Sequence, residues 1–486
     1  MSFVSVNFFI FLPIVFALYW ALPSKYRWVV LLISSYYFYM SWNVRYVALI
    51  LLTTAVSYGC ARLMEKAQSQ SVRKACLTGC LFVCLGCLFI FKYFNWFFES
   101  LDTVFSWAGL SLHPVTLTLL LPVGISFYTF QTLSYVIDVY KGKIPAEHHF
   151  GMYAAFISFF PQLVAGPIER SENLLPQIKK KRSFCYDQAS YGIRLMNWGF
   201  FKKVVIADIL AVYVDIVFGD ISAYSGLALI CAGAGFAVQI YCDFSGYSDI
   251  AIGTAKLFGI DLMTNFKSPY FSTSIQEFWH RWHISLSTWF RDYVYIPLGG
   301  NRCSKLRQKC NIMITFLLSG LWHGASWTYV IWGGCHGILQ CAEKPLLNKR
   351  DRMKWKRLGQ FTAWVVCLSL CTLAWVFFRA ETIGDAFYFF IHMFDGMPDV
   401  ICWLKDGWHM VRAVYSFFTV CVLAFAMMIL FVYDYISLKH DCILLMGKLP
   451  KIVRWTVYIT ISVIWISALL LSISSESQST FIYFQF

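Results

Sequence analysis

Charge is scarce in this sequence. Asp, Glu, Lys and Arg together make up 14% of its 486 residues, against about 25% in a soluble domain. Nine stretches contain none of the four: residues 1–24, 75–91, 103–137, 150–168, 221–242, 311–340, 360–378, 413–433 and 455–475. Hydrophobic residues reach 59%, aromatic residues 19%, and the mean hydropathy is +0.60. Those values exclude a soluble globular fold. Roughly 20 apolar residues cross a bilayer as a helix, so the chain reads as an all-α polytopic membrane protein. About eleven transmembrane helices with shorter re-entrant segments fit the runs.

Other absences narrow the reading further. No Pro-rich or Ser-rich linker interrupts the spans and no period repeats, so residues 1–486 read as a single membrane-embedded domain. The first apolar run lacks a basic leader and a small-residue cleavage site, which makes it a retained helix rather than a signal peptide. The seventeen cysteines show no disulfide framework. Cys76, Cys80, Cys84 and Cys87 recur on one face of an apolar helix, where free cysteine packs as a small hydrophobe. No carboxylate or third histidine stands at useful spacing from His280 and His283, so no metal site is expected.

What charge there is has a sign and a place. The net charge is +14, and basic clusters sit at 62–74, 179–182, 302–309, 344–357 and 439–454. The positive-inside rule accounts for them as cytoplasmic loops, with no need for nucleic acid as a partner. The acidic stretch 379–406 suits the outer side. Counting spans from these anchors puts both termini outside the cytoplasm.

Two regions break the pattern of plain spans. Residues 160–177 (FPQLVAGPIERSENLLPQ) hold three prolines and one glycine, a density that breaks helices. Such a stretch lines an internal surface, re-enters the membrane, or forms an ordinary cytoplasmic loop. Residues 311–340 form an uncharged run with two strongly basic flanks. A single crossing would put one flank outside, so a hairpin or two short helices returning to the cytoplasm is expected. The turn falls at Ser319-Gly320 or Gly324, with His323 near its tip.

The chemistry is expected in the window 274–337, which holds four of ten histidines and six of nineteen tryptophans. Ionisable groups at membrane depth are expensive and mark functional sites. Taken as one helix at 100° per residue, residues 276–291 place Trp279, Trp282, Leu286 and Trp289 on one arc. Gln276, His280, His283, Ser287 and Arg291 fall on a second. Such a helix serves either as a wall of an amphiphilic cavity or as an interfacial helix. His323 has no charged neighbour nearer than Lys309 and Glu343. Burial would keep its imidazole neutral, able to take a hydroxyl proton as general base.

Six motifs together carry a resemblance. QLVAGPIERSENLLPQ, QIYCDFSGYSDIAIGTAKLFGIDLMTNFKSPY, FWHRWHISLSTWFRDYVYIPLGGNR, LWHGASWTYVIWGGCHG, AWVFFRAETIGDAFYFF and the terminal FIYFQF resemble bacterial membrane-bound O-acyltransferases. The alginate O-acetyltransferase branch is the most similar. The resemblance runs from about residue 120 to the C-terminus, with the core motifs at about 120–345.

That resemblance implies a fold of helices around a central passage, with His323 at the family's essential histidine and His283 at its second polar position. Gln276, Ser287, Trp279, Trp282 and Trp322 would line the passage. Asp243, Ser245 and Asp249 of DFSGYSD would serve structural hydrogen bonding, and His336 packing. No bound cofactor is implied. The donor would be acetyl-CoA or another acyl thioester at the cytoplasmic side, its phosphates met by Arg291 or Arg302, with Lys305 and Arg307 nearby. The acyl group would pass across the cell membrane to an exported polysaccharide through an extracytoplasmic partner protein. Two alternatives remain open: D-alanyl transfer to a cell-wall polymer, and a polysaccharide export channel with proton-relay histidines. The second predicts paired broken helices, of which the sequence offers one.

Overall fold

The computed structural model describes residues 1–110, 115–164, 166–350 and 356–474. Residues 351–355 of the fourth basic cluster, Ala165 of the AGPIER motif and the terminal FIYFQF lie outside the described residues. Among the described residues the chain is helical, without a β-strand. Six helices are long and apolar enough to cross a membrane: Val44–Lys66, Gln70–Trp107, Leu227–Leu257, Leu358–Arg379, Phe417–Ser437 and Lys451–Ile473. This is a multi-pass membrane protein. Other apolar runs fold as shorter helices, such as Val6–Ala21. Run 150–168 splits into Phe150–Ser158 and Phe160–Leu163, since Pro161 accepts only the first turn of a helix.

The described residues form two compact units. The first comprises Met1–Ile193 and Ile250–Met263. Its helices Val47–Lys66, Gln70–Leu88 and Ile125–Tyr140 pack on one another. Most described residues of the Pro-rich stretch are buried in this unit, rather than forming an open loop. Gln162, Ile168, Glu169 and Arg170 are all buried. Glu169 accepts hydrogen bonds from the Met263 amide and from Asn173 Nδ2, the latter at 2.7 Å. Glu169 lies outside the six spans, and desolvation pushes its carboxyl up to about 7.

The second unit comprises Arg194–Asp249 and the described residues from Thr264 onward. Six of its helices form or adjoin the window 274–337: α1 (Leu227–Leu257, here as far as Asp249), α2 (Ile275–Arg281), α3 (Ile284–Phe290), α4 (Lys305–His323), α5 (Trp327–Arg350) and α6 (Lys356–Arg379). The uncharged run 311–340 is a helical hairpin, as expected from its basic flanks. Its turn is Gly324–Ser326, with Ser319 and Gly320 inside α4 rather than at the bend. Gly320 and Gly333 let the two helices approach closely. A Cβ on Gly320 would lie 2.2 Å from the Tyr329 carbonyl oxygen, and one on Gly333 would lie 2.3 Å from that of Phe316. Small residues at such crossings allow backbone-to-backbone packing. The hairpin packs through α5 on α2 and α6.

Candidate active site

The expected single helix over 276–291 does not form. α2 is capped by Ser274, whose Oγ accepts from the Glu277 amide at 3.0 Å, and it ends at Arg281. Trp282 is extended and His283 is left-handed, with φ 42° and ψ 55°, before α3 begins. A non-glycine residue in this region is uncommon and strained. The break re-aims one side chain. Of the five polar positions, Gln276, His280 and Arg291 are exposed and Ser287 is half-buried, while His283 is fully buried. The polar arc is therefore not one face. The aromatic arc survives the break, with Trp279, Trp282, Leu286 and Trp289 all buried.

His323 is the last residue of α4. The hairpin turn leaves its ring inside the unit, 3% exposed. The two histidines meet there. Their ring centroids are 6.4 Å apart at an interplanar angle of 62°. Trp322 stands edge-on to His323 at 4.9 Å and lies 6.0 Å from His283. Trp332 and Phe378 close on His323 at 5.0 and 5.3 Å. Phe244 of α1 presses on His283 at 4.6 Å. His283 lies outside the six spans, and burial alone pushes its pKa down to about 3. It is a neutral imidazole at physiological pH, able to donate one N–H and accept at the other nitrogen.

The remaining expected residues separate by environment. Trp282 stacks on Phe278 at 5.5 Å and meets Trp375 at 5.0 Å. Trp279 donates from Nε1 to Nδ1 of His336 at 3.3 Å. That bond occupies the acceptor nitrogen of His336. Ser287 donates to the Trp282 carbonyl at 3.2 Å. Arg291 pairs with its neighbour Asp292 at 2.8 Å, and Arg302, Lys305 and Arg307 are exposed.

The acidic motif on α1 points to partners that sequence reasoning missed. Lys202 and Lys203 are both buried, in a widened π-helical turn at Phe201–Ala207. Lys203 reaches Asp243 at 2.8 Å and Asp208 at 2.7 Å. Lys202 reaches Asp249 at 2.7 Å and Ser245 at 2.8 Å. Buried charges persist when paired and hydrogen-bonded, and π-turns often mark functional regions. The available signal was a lysine doublet inside the apolar run FFKKVVIA. Asn265 was missed too, and nothing local to it would have revealed its role.

Known proteins similar to this chain identify its family. Residues 143–380 match the model of the family described as MBOAT, membrane-bound O-acyltransferase family. The chain is 42% identical over 394 residues to a protein named "Probable alginate O-acetylase AlgI" of Pseudomonas aeruginosa, covering 80% of this chain and 74% of that one. A protein of the same name from Pseudomonas putida is 38% identical over 495 residues, covering 99% of each. A "Peptidoglycan O-acetyltransferase" of Helicobacter pylori is 35% identical over 411 residues, covering 78% of this chain and 76% of its own. With matches of that extent, this chain belongs to the membrane-bound O-acyltransferase family.

Proposed function

We propose that this protein moves an acetyl group from a cytoplasmic thioester donor toward hydroxyls of an exported polysaccharide, acting as one membrane domain in the cell membrane. The observation that carries the reading is the His283–His323 pair at 6.4 Å, shut inside an aromatic shell. The relatives named for O-acetylation of alginate and of peptidoglycan support acetyl as the group and a carbohydrate polymer as the final acceptor. Acetyl-CoA is the donor this reading favours. An extracytoplasmic partner protein relays the group to the polymer, and both termini of this chain lie on that partner's side.

The chemistry starts with both imidazoles neutral. One nitrogen of His323 accepts the proton of the acceptor hydroxyl as the oxygen attacks the thioester carbon. His283 donates its N–H to the carbonyl oxygen, where negative charge develops. Collapse of the tetrahedral species breaks the C–S bond, and the leaving thiolate recovers the proton from His323. The proton count closes without an external acid. The aromatic walls keep water from the thioester, which would otherwise be hydrolysed.

The test is His323→Ala in cells that export an acetylated polymer. Acetyl content should fall to background while the protein still reaches the membrane at normal levels. Full acetylation by that variant overturns the assignment, and reduced polymer export with unchanged acetyl per sugar would point to a channel instead. Membranes supplied with labelled acetyl-CoA, or with carrier-loaded D-alanine, separate acetyl from D-alanyl transfer.

A further inference from the structure

His283 and Ser268 are the non-glycine residues with positive φ among the described residues, at 42° and 45°. Between and beside them runs a hydrogen-bonded splint. The Lys267 amide donates to the Arg281 carbonyl at 3.0 Å, and the Ile284 amide donates to the Asn265 carbonyl at 3.0 Å. These two bonds bracket Trp282 and His283 on either side. The Asn265 side chain adds the decisive contacts. Its Oδ1 accepts from Ser285 Oγ at 2.6 Å and from the Ser285 amide at 3.4 Å. Its Nδ2 donates to Ser248 Oγ at 3.2 Å. Asn265 and Ser285 are fully buried, and Ser248 is 1% exposed.

The far end of this chain of contacts explains the arrangement of α1. Ser248 stands one helical turn after Phe244, so both lie on one face of α1. Phe244 presses on the His283 ring, and Ser248 holds Asn265. Asp243, Ser245 and Asp249, in the same motif, are tied to Lys203 and Lys202. The lysine pairs anchor α1, and the face bearing Phe244 and Ser248 sets the histidine. A residue held in a sparsely populated conformation persists only where its surroundings over-determine it. Here the over-determination is visible, bond by bond.

Resting on the assignment of His283 as the companion of His323, we infer that Asn265 is a positioning residue: through Ser285 and Ser248 it holds the left-handed turn that aims the His283 ring at His323. Asn265 touches no reacting group itself. It acts on the geometry of one that does.

The experiment uses the full chain in nanodiscs, with labelled acetyl-CoA as donor and two readouts, steady-state kinetics and hydrogen–deuterium exchange by mass spectrometry. Asn265→Leu keeps the volume and removes both hydrogen-bonding functions. It should lower kcat about tenfold or more, since misplacement by about 1 Å costs about 10²-fold, with the donor KM within about twofold. Exchange should rise at residues 282–287 and remain unchanged elsewhere. Asn265→Asp keeps the acceptor toward Ser285 and can accept from the Ser248 hydroxyl, so most of the lost kcat should return. Should Asn265→Leu fail to accumulate, Ser285→Ala removes the 2.6 Å contact alone and should lower kcat in the same direction, by less.

Wild-type kcat in Asn265→Leu (or in Ser285→Ala where that variant replaces it) overturns the inference. A loss that Asn265→Asp does not recover, with exchange raised throughout the unit, also overturns it in favour of simple packing. If the wild type itself transfers nothing from acetyl-CoA, the proposed function fails first. The hold of Asn265 over the turn is then decided by exchange at 282–287, where no change in Asn265→Leu refutes it.

Discussion

Gly320→Ala is the sharpest test of the hairpin that carries His323. The new methyl would sit 2.2 Å from the Tyr329 carbonyl oxygen and 3.0 Å from its carbon, where real Cβ contacts essentially never fall below 3.0 Å. The obstacle is backbone, so no side chain can swing aside. α4 and α5 must part by about 0.8 Å at this level, and overpacking of this kind costs about 1–3 kcal/mol. His323 lies three residues further along α4, so its ring is carried away from Trp332 and from His283 by a similar distance. Displacements near 1 Å cost about 10²-fold in rate. Turnover of labelled acetyl-CoA by protein in nanodiscs should therefore fall by about one to two orders of magnitude. The melting temperature, followed by tryptophan fluorescence, should drop by only a few degrees. Gly334→Ala is the matched control, since its methyl would meet only Leu317 Cδ2 at an ordinary 3.6 Å. Wild-type turnover in Gly320→Ala, or equal losses in both variants, would refute the argument that close approach sets the site.

Three further outcomes are expected from buried groups. His283 has its folded-state pKa depressed from 6.5 to about 3, so its neutral burial is fully favourable above pH 6.5 and loses ground as pH falls below it. One such group removes about 2 kcal/mol between pH 7.5 and pH 5. His283→Gln should show a shallower fall in melting temperature over that range, and identical slopes would contradict burial of the neutral ring. Lys202→Met strands the Asp249 carboxylate beside it and should destabilise by about 3 kcal/mol, measured as lost detergent-stable protein. Lys202→Met combined with Asp249→Leu should recover much of the loss. Glu169→Gln places an amide against two donors, Met263 N–H and Asn173 Nδ2, and should lower stability by about 1–3 kcal/mol despite its identical shape.

The hairpin was legible because its evidence is one-dimensional. Thirty uncharged residues between two basic flanks, with glycines near the middle, leave few other ways to satisfy charge placement. His323 at the turn follows from that. The break at His283 was not legible, because Trp282 and His283 carry no glycine or proline to announce it. The left-handed turn is imposed by residues 265–267, some twenty positions upstream, and a local periodicity sum cannot register a partner that arrives by tertiary contact. The same reason hid Lys202 and Lys203. Their carboxylates come from α1 and from Asp208, so the doublet inside FFKKVVIA shows the charges but not what pairs with them. Helix boundaries within the apolar runs were less legible than the runs themselves, because Pro161 cuts residues 150–168 into two shorter helices.

The tryptophans around His323 have a use beyond shielding. Trp322 and Trp332 stand edge-on to that imidazole at 4.9 and 5.0 Å, with interplanar angles of 81° and 88°. An imidazolium at contact distance quenches indole emission, whereas neutral imidazole does so weakly. The site therefore contains its own optical reporter of where the proton resides. The difference in emission between the wild type and His323→Ala, recorded during a single turnover, would follow protonation of His323 in real time without an added label.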